Sequence, residues 1–267
     1  MTPILQASLP FAPWMDPRTW RLPGILPVEG DDWLRIDDAY AAQMAERDRL
    51  IAATPGLVHG MLESARPAAE ELYDLVLGWL ARTPGFTVAA GQVTRPDGVA
   101  VPLDRGRPLL TLGRLVQEDL CLLQAEGGES LLTGAVLCFP ASWTLAEKLG
   151  RPMIRIHVPV ESYTEEVARR VQRLFDAIRP EQMLWRANAL VYDDPALHQP
   201  RPEGVHRPAP RDGRYLRSER QVLRRLPETR AVVFSIHTYL VRIGDLAPEA
   251  RAGMAGAGLW GWEEGAQ

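Results

Sequence analysis

The sequence predicts an α+β fold in which helices flank an antiparallel sheet. Segments with apolar residues at helical spacing are interspersed with shorter runs rich in Val, Ile and Phe. Proline and glycine clusters separate the two kinds of segment. With 267 residues, 46% of them hydrophobic, the chain can bury a sizeable core. We expect one domain over residues 31–246, a proline-rich arm over residues 1–30 and a tail over residues 247–267.

The helical segments follow the arm in chain order. Six prolines in the arm exclude any long regular element, so we expect it to lie extended over the surface, anchored by its tryptophans. Residues 31–56 and 63–82 have the apolar spacing of amphipathic helices. A third helical region is predicted over residues 108–125. Residues 164–178 predict a helix whose apolar stripe packs against the sheet.

The strands are predicted from period-2 alternation or from β-branched composition. They cover residues 86–94, 98–103, 130–139, 185–192 and 231–243. Residues 217–225 are instead predicted to form a short helix ended by Pro227. This helix would place Arg217, Arg220 and Arg224 on one face, because they are three and four residues apart.

The segment 153–160 carries the most specific pattern in the chain. Ile154, Ile156 and the two valines that follow fall on one side of a period-2 alternation, and His157 falls on the other. We expect a strand here, after a short helix closed by Gly150. This strand would present His157 opposite its apolar face.

Composition excludes several classes of function. The net charge of −4 and the lack of a basic stripe interleaved with aromatics argue against a nucleic-acid partner. No apolar run reaches the roughly 18 residues that span a bilayer, and the first residues lack the basic start of a secretory signal. Cys121 and Cys138 cannot supply the four thiolates of a usual iron–sulfur cluster. We expect a cytoplasmic bacterial protein.

Two of the five histidines stand alone in apolar segments. For these, His157 and His237, burial of an unpartnered ring would cost about 1–3 kcal/mol. From the residues alone, His157 is either a ligand or a hydrogen-bonded histidine on a half-exposed face. We expect His59, His198 and His206 to have surface or capping roles.

Three segments of the sequence resemble the haem-dependent oxidative N-demethylase alpha-subunit family, whose members have a PAS fold and bind haem b. They are FPASWTLAEKLGRPMIRIHVPV (139–160), WRANALVYDDPALH (185–198) and LRSERQVLRRLPETRAVVFSIHTY (216–239). DDWLRIDDAY (31–40) and LVQEDLCLL (115–123) fit the same order. The sequence departs from the family at Glu161, where proline is usual, and at Ala189, where tryptophan is usual.

The resemblance implies a PAS-like sheet that holds haem b. In the family motif His157 corresponds to the axial ligand of the iron, and His237 is its rival. Arginine forks suit the two haem propionates, for which Arg217, Arg220 and Arg224 are the first candidates and Lys148 and Arg186 the weaker ones. The alternative for the three arginines is a solvated helix face.

The resemblance also implies oxidative N-demethylation of a small methylated amine such as dimethylamine. The reaction would use O2, release formaldehyde and take its electrons from a separate flavin and iron–sulfur reductase subunit. Glu118, Asp119 and Glu219 are candidates to contact the amine, with capping or ion pairing as the alternative, and His237 is a candidate for handling oxygen or substrate. The competing interpretation is a PAS-like haem or small-ligand sensor without enzymatic activity.

Overall fold

A computed structural model describes residues 2–21, 23–157 and 165–259, with backbone only at residues 157 and 165–170. A seven-stranded antiparallel sheet has the order β1-β8-β9-β10-β6-β7-β2, and a second sheet has the order β3-β4-β5. The α+β prediction is confirmed. The strands are β1 Leu26–Pro27, β2 His59–Met61, β3 Thr87–Val88, β4 Gln92–Thr94, β5 Ala100–Pro102, β6 Asp119–Glu126, β7 Glu129–Val136, β8 Leu184–Tyr192, β9 Tyr215–Arg225 and β10 Val232–Arg242.

Helices cover both faces of the large sheet. They are α1 Pro17–Trp20, α2 Tyr40–Ala53, α3 Pro55–Val58, α4 Arg66–Leu80, α5 Pro108–Gly113, α6 Leu145–Lys148, α7 Met153–His157, α8 Glu165–Ala177 and α9 Pro248–Gly256. In the described part of the chain, no helix combines the length and the apolar character needed to cross a membrane.

The two faces of the central strands belong to different cores. Leu184 and Leu223 pack with residues of α6, α7 and α8, and we call this side the α7 face. Val222 and Val233 pack with residues of α2, α4 and α5 on the other side, the α2 face. Because side chains alternate along a strand, each strand contributes to both cores.

The arm is bound to the domain at several points. Gln6 donates its backbone N–H to the carbonyl of Leu240 at 3.0 Å, and its side-chain oxygen accepts the Leu240 N–H at 2.8 Å. Trp14 is buried and donates its indole N–H to the carbonyl of Ala250 in α9 at 2.8 Å. Buried hydrogen bonds thus attach the arm to β10 and to α9.

The predicted strand over residues 153–160 is wrong where the structure describes it, because residues 153–157 form α7. The residues just before α7 pair with β7 instead. Gly150 donates to the Leu132 carbonyl at 2.7 Å, and Leu132 donates to the Arg151 carbonyl at 3.1 Å. The helix then begins after Pro152, whose carbonyl accepts from Ile156. Ile156 is buried whereas Ile154 is 49% exposed, which a single apolar strand face would not allow. The departure at Glu161 lies outside the described residues.

The helix predicted over residues 217–225 is also wrong. The segment is the centre of β9, which pairs with β8 on one side and β10 on the other. The backbone hydrogen bonds of two neighbouring strands outweigh the helix propensity of an arginine-rich segment. Arg217 therefore lies on the α7 face, and Arg220 and Arg224 lie on the α2 face.

The helical prediction for residues 108–125 holds only for α5. The chain enters β6 at Asp119, and Leu120 and Leu122 are fully buried in the core. Gly113 is the last residue of α5 and lies against β7. A Cβ at this position would lie 2.5 Å from the Val136 side chain, which explains why the residue is glycine. An apolar run such as 120–123 has no periodicity that separates a buried strand from a helix.

Candidate functional site

Polar side chains interrupt the apolar α7 face at its centre. On this face Glu219 of β9 lies directly opposite Asn188 of β8 and Thr238 of β10, and the next pair is Arg186 opposite Gln221. Directly opposed side chains have Cβ atoms about 4.5–5.5 Å apart. The five residues therefore form one polar cluster, which we call the Glu219 cluster.

The carboxylate of Glu219 is held by three donors. Asn188 Nδ2 donates to Oε2 at 3.1 Å, Gln221 Nε2 donates to the same oxygen at 3.0 Å, and an Arg217 nitrogen lies 3.4 Å from Oε1. The Glu219 backbone N–H donates in turn to Asn188 Oδ1 at 3.0 Å. With 7% of its surface exposed, Glu219 is both buried and fixed in orientation.

Arg217 is used inside the protein. One of its terminal nitrogens donates to the Leu197 carbonyl at 2.9 Å and the other to the Phe139 carbonyl at 2.5 Å. The guanidinium thus connects β9 to two loops and to Glu219. Asp119 supports the same loop, since its carboxylate accepts the N–H groups of Cys138 and Phe139 and pairs with buried Arg47 at 2.7 Å.

Arg186 differs from the other predicted cations. The residue is half-buried with its Nε fully enclosed, and its guanidinium has no hydrogen-bond or ion-pair partner among the residues that the structure describes. Burial lowers the pKa of Arg186, and attraction to Glu219 opposes that effect. An unpaired buried guanidinium is costly, and its planar donors match a carboxylate.

The remaining predicted cations have internal partners. Arg220 donates to the Trp33 carbonyl at 3.0 Å, and the guanidinium of Arg224 lies 4.4 Å from the centroid of the Trp33 ring, both on the α2 face. Lys148 donates to the carbonyl of Ile156 at 2.7 Å. The structure therefore does not bring the three predicted arginines together, and Lys148 instead holds α7 one residue before His157.

Helix α7 lies on the same face of the sheet as the Glu219 cluster, where it packs against β7 and α8. Ile156 packs in one core with Leu184 and Leu223, which are two residues away from Arg186 and Gln221 on the same strands and the same face. The helix that carries His157 and the Glu219 cluster therefore share one apolar core, which extends from β7 to β8.

His198 is a candidate that the sequence analysis assigned to a surface role. Its Nδ1 lies 2.8 Å from the carbonyl oxygen of Cys138, which can only accept, so Nδ1 carries the hydrogen. In the neutral ring Nε2 is then an acceptor, the arrangement that metal-bound histidines commonly have. The ring is half-buried. The only signal in the sequence was its position at the end of the segment 185–198.

His237 lies on the opposite, α2 face. Its Nδ1 is 2.8 Å from Glu118 Oε1 and its Nε2 is 3.0 Å from Asp37 Oδ2. Burial alone would lower the pKa of His237, but Glu118 and the hydrogen bond to Asp37 outweigh it and raise the pKa to about 9. The ring is therefore an imidazolium with both nitrogens engaged, and neither has a lone pair for a metal.

The α7 face has two features that suit a flat apolar ring system with carboxylates. Its apolar layer can cover such a ring, and Arg186 lacks the anion that its charge requires. Within the described residues, no group of three or more His, Cys, Asp and Glu side chains could hold a metal ion. Haem does not need such a group, because the porphyrin nitrogens surround the iron and the protein adds axial ligands.

A protein-family model matches most of the chain. The family described as haem-dependent oxidative N-demethylase, alpha subunit-like, matches residues 24–265 of the 267. The match includes β1 to β10, α2 to α9 and every residue of the Glu219 cluster. The chain belongs to the haem-dependent oxidative N-demethylase, alpha subunit-like family.

Proposed function

We propose that the chain binds haem b on the α7 face and oxidatively demethylates a small methylated amine. The observation that carries this proposal is the unpaired, half-buried guanidinium of Arg186, on the same face of the sheet as the helix of His157. His157 would be the axial ligand of the iron, and Arg186 would pair with a propionate. A PAS-like arrangement of residues 31–246 is part of the same proposal.

His157 is preferred to His237 on physical grounds. Ligation requires a neutral nitrogen with a free lone pair, and both nitrogens of His237 face carboxylates at hydrogen-bond distance. His237 also lies on the face opposite to Arg186. In this proposal His237, Glu118 and Asp119 hold the structure that supports the site, and Glu219 is the acid beside the amine.

Haem, when bound, supplies the activation of O2 for oxidation of an N-methyl group. In the overall reaction, the methylated amine, O2, two electrons and two protons give the demethylated amine, formaldehyde and water. The residues of this chain hold the carboxylate and amide groups of the pocket in fixed positions, and the apolar layer limits the access of water.

The two electrons would come from a partner protein. The sequence lacks a dinucleotide-binding glycine motif, and its two cysteines cannot hold a four-thiolate cluster. We propose a separate reductase subunit with flavin and an iron–sulfur cluster. The alpha-subunit-like family description supports a multi-subunit enzyme.

Purified protein supplied with haem tests this function. We expect a Soret band with one haem per chain, and formaldehyde after addition of reductant, O2 and dimethylamine. A Soret band without formaldehyde from any member of a methylamine panel would favour the haem sensor. Absence of the Soret band would refute the proposal.

A further inference from the structure

Besides the guanidinium Nε atoms of Arg186 and Arg217, two uncharged buried groups next to Glu219 have no partner among the described residues. They are the hydroxyl of Thr238, directly opposite Glu219, and the side-chain oxygen of Gln221, two residues along β9. Thr238 is 1% exposed and Gln221 is 7% exposed. Each such group costs about 1–3 kcal/mol when it is left unsatisfied. Together they offer two hydrogen-bonding positions to a small polar molecule beside Glu219.

The orientation of Gln221 follows from its partner. Its amide nitrogen donates to Glu219 Oε2 at 3.0 Å, so the amide oxygen is the end that is left free. This oxygen can only accept a hydrogen bond, whereas the Thr238 hydroxyl can also donate one. The Glu219 cluster therefore presents an acceptor and a donor beside the Glu219 carboxylate.

The charge of the pocket does not favour a cation. Among the described residues, the charged side chains that the strands place on this face include Arg186 from β8 and three from β9, Arg217, Glu219 and Arg225, the last of which is held by carbonyls at the end of α8. Asp119 from β6 is paired with Arg47. Arg217 contacts Glu219 at 3.4 Å, and Arg186 also attracts it. A haem propionate on Arg186 would leave the rest of the pocket close to neutral.

A neutral secondary amine matches these groups, because its nitrogen has one N–H and one lone pair. We propose that Thr238 donates to the amine lone pair and that Gln221 accepts the amine N–H, so that the pocket binds the free base of a secondary amine. This inference rests on the proposed function. In this arrangement two neutral hydrogen bonds hold the amine in place of an ion pair with Glu219. The amine nitrogen stays unprotonated while its methyl group is oxidised.

The pH dependence of binding tests the protonation state. Dimethylamine is titrated into ferric, haem-loaded protein by calorimetry at pH 6.5, 7.5 and 8.5. Below an alkylammonium pKa of about 10.4, the neutral fraction rises about tenfold per pH unit, so the Kd should fall about tenfold per unit. A Kd that is constant with pH would show that the ammonium binds and would overturn the proposal.

A ligand that does not titrate controls for the protein's own groups. N,O-dimethylhydroxylamine is a secondary amine that stays neutral throughout this pH range, so its Kd should be constant. If its Kd falls as steeply as that of dimethylamine, a protein group causes the slope and the proposal fails. On adding dimethylamine, a change to the low-spin spectrum of haem with a nitrogen ligand from the amine would also overturn it, because the amine would then be bound to the iron.

Variants test the two residues. Thr238→Val and Gln221→Met should each weaken dimethylamine binding about tenfold, and Gln221→Met should abolish the preference for dimethylamine over trimethylamine, which has no N–H. Ser235→Ala removes a hydroxyl from the same strand on the α2 face and should keep both the preference and the pH slope. An unchanged preference in Gln221→Met overturns the assignment. A chain that shows no Soret band when haem is supplied refutes the proposed function. The titrations are repeated on haem-free protein, so that the amine site is tested separately from haem binding.

Discussion

His237 lies between the carboxylates of Glu118 and Asp37, with one ring nitrogen 2.8 Å from the first and the other 3.0 Å from the second. Asp37 also accepts from Gln6 at 2.8 Å, and Glu118 accepts the Arg35 N–H at 2.8 Å. This charged group therefore connects β10, the start of β6, the segment before α2 and the arm.

The stability of the protein should depend on the charge of His237. Its pKa is raised from 6.5 to about 9, so its contribution is fully present below pH 6.5 and is lost as the pH rises through 9. The shift corresponds to on the order of 3 kcal/mol. Urea unfolding at pH 6, 8 and 10 should show this loss, and His237→Gln should lack it. Equal losses in both proteins would place the titrating group elsewhere.

Haem binding should depend on His157 and not on His237. His157→Ala should abolish stoichiometric haem binding or give the spectrum of weakly ligated haem. His237→Ala should keep the Soret band, because its ring nitrogens are engaged by carboxylates. Absorption spectra of the two variants are compared with that of His198→Ala, which should also keep the band. The reverse pattern would move the axial ligand to His237, and loss of the band only in His198→Ala would move it to His198.

Removal of the Arg186 charge should weaken haem binding without destabilising the protein. Arg186→Gln deletes a buried charge that has no described partner, so the free energy of unfolding should stay equal or rise. Haem affinity, measured by transfer to apomyoglobin, should fall about tenfold with the lost propionate pair. Arg224→Gln is the matched change on the α2 face and should keep the affinity. Equal affinities in both variants would count against a propionate at Arg186.

The pair of Arg47 and Asp119 should be a main determinant of stability. Their side chains are 0% and 1% exposed, and Asp119 also binds the loop that Arg217 contacts. Asp119→Asn leaves a buried guanidinium without its counter-ion and should cost about 3–5 kcal/mol in urea unfolding. Asp74→Asn breaks the exposed pair with Arg105 and should cost about 0–1 kcal/mol. Similar losses in the two variants would contradict this account.

Several elements could be predicted from local sequence. The helices 63–82 and 164–178 and the strands 185–192 and 231–243 match α4, α8, β8 and β10 closely, because their apolar patterns are long. The short alternation at 153–160 and the arginine-rich stretch 217–225 were assigned to the wrong element. For 217–225, pairing with β8 and β10 decided the conformation, and local spacing carries no information about that pairing. For 153–157, the preceding residues pair with β7 and the chain turns into a helix after Pro152.

The sequence by itself determined the α+β class and the family, because patterns and motifs are contiguous along the chain and need no knowledge of contacts. Only the tertiary structure decided which charged groups are free. Arg217 and Arg220 are three residues apart, yet strand geometry places them on opposite faces. The carboxylates that engage His237 come from 119 and 200 residues away. Hydrogen bonding and burial depend on such distant neighbours. Only the packed fold therefore shows that Arg186, Thr238 and Gln221 have polar atoms without a partner.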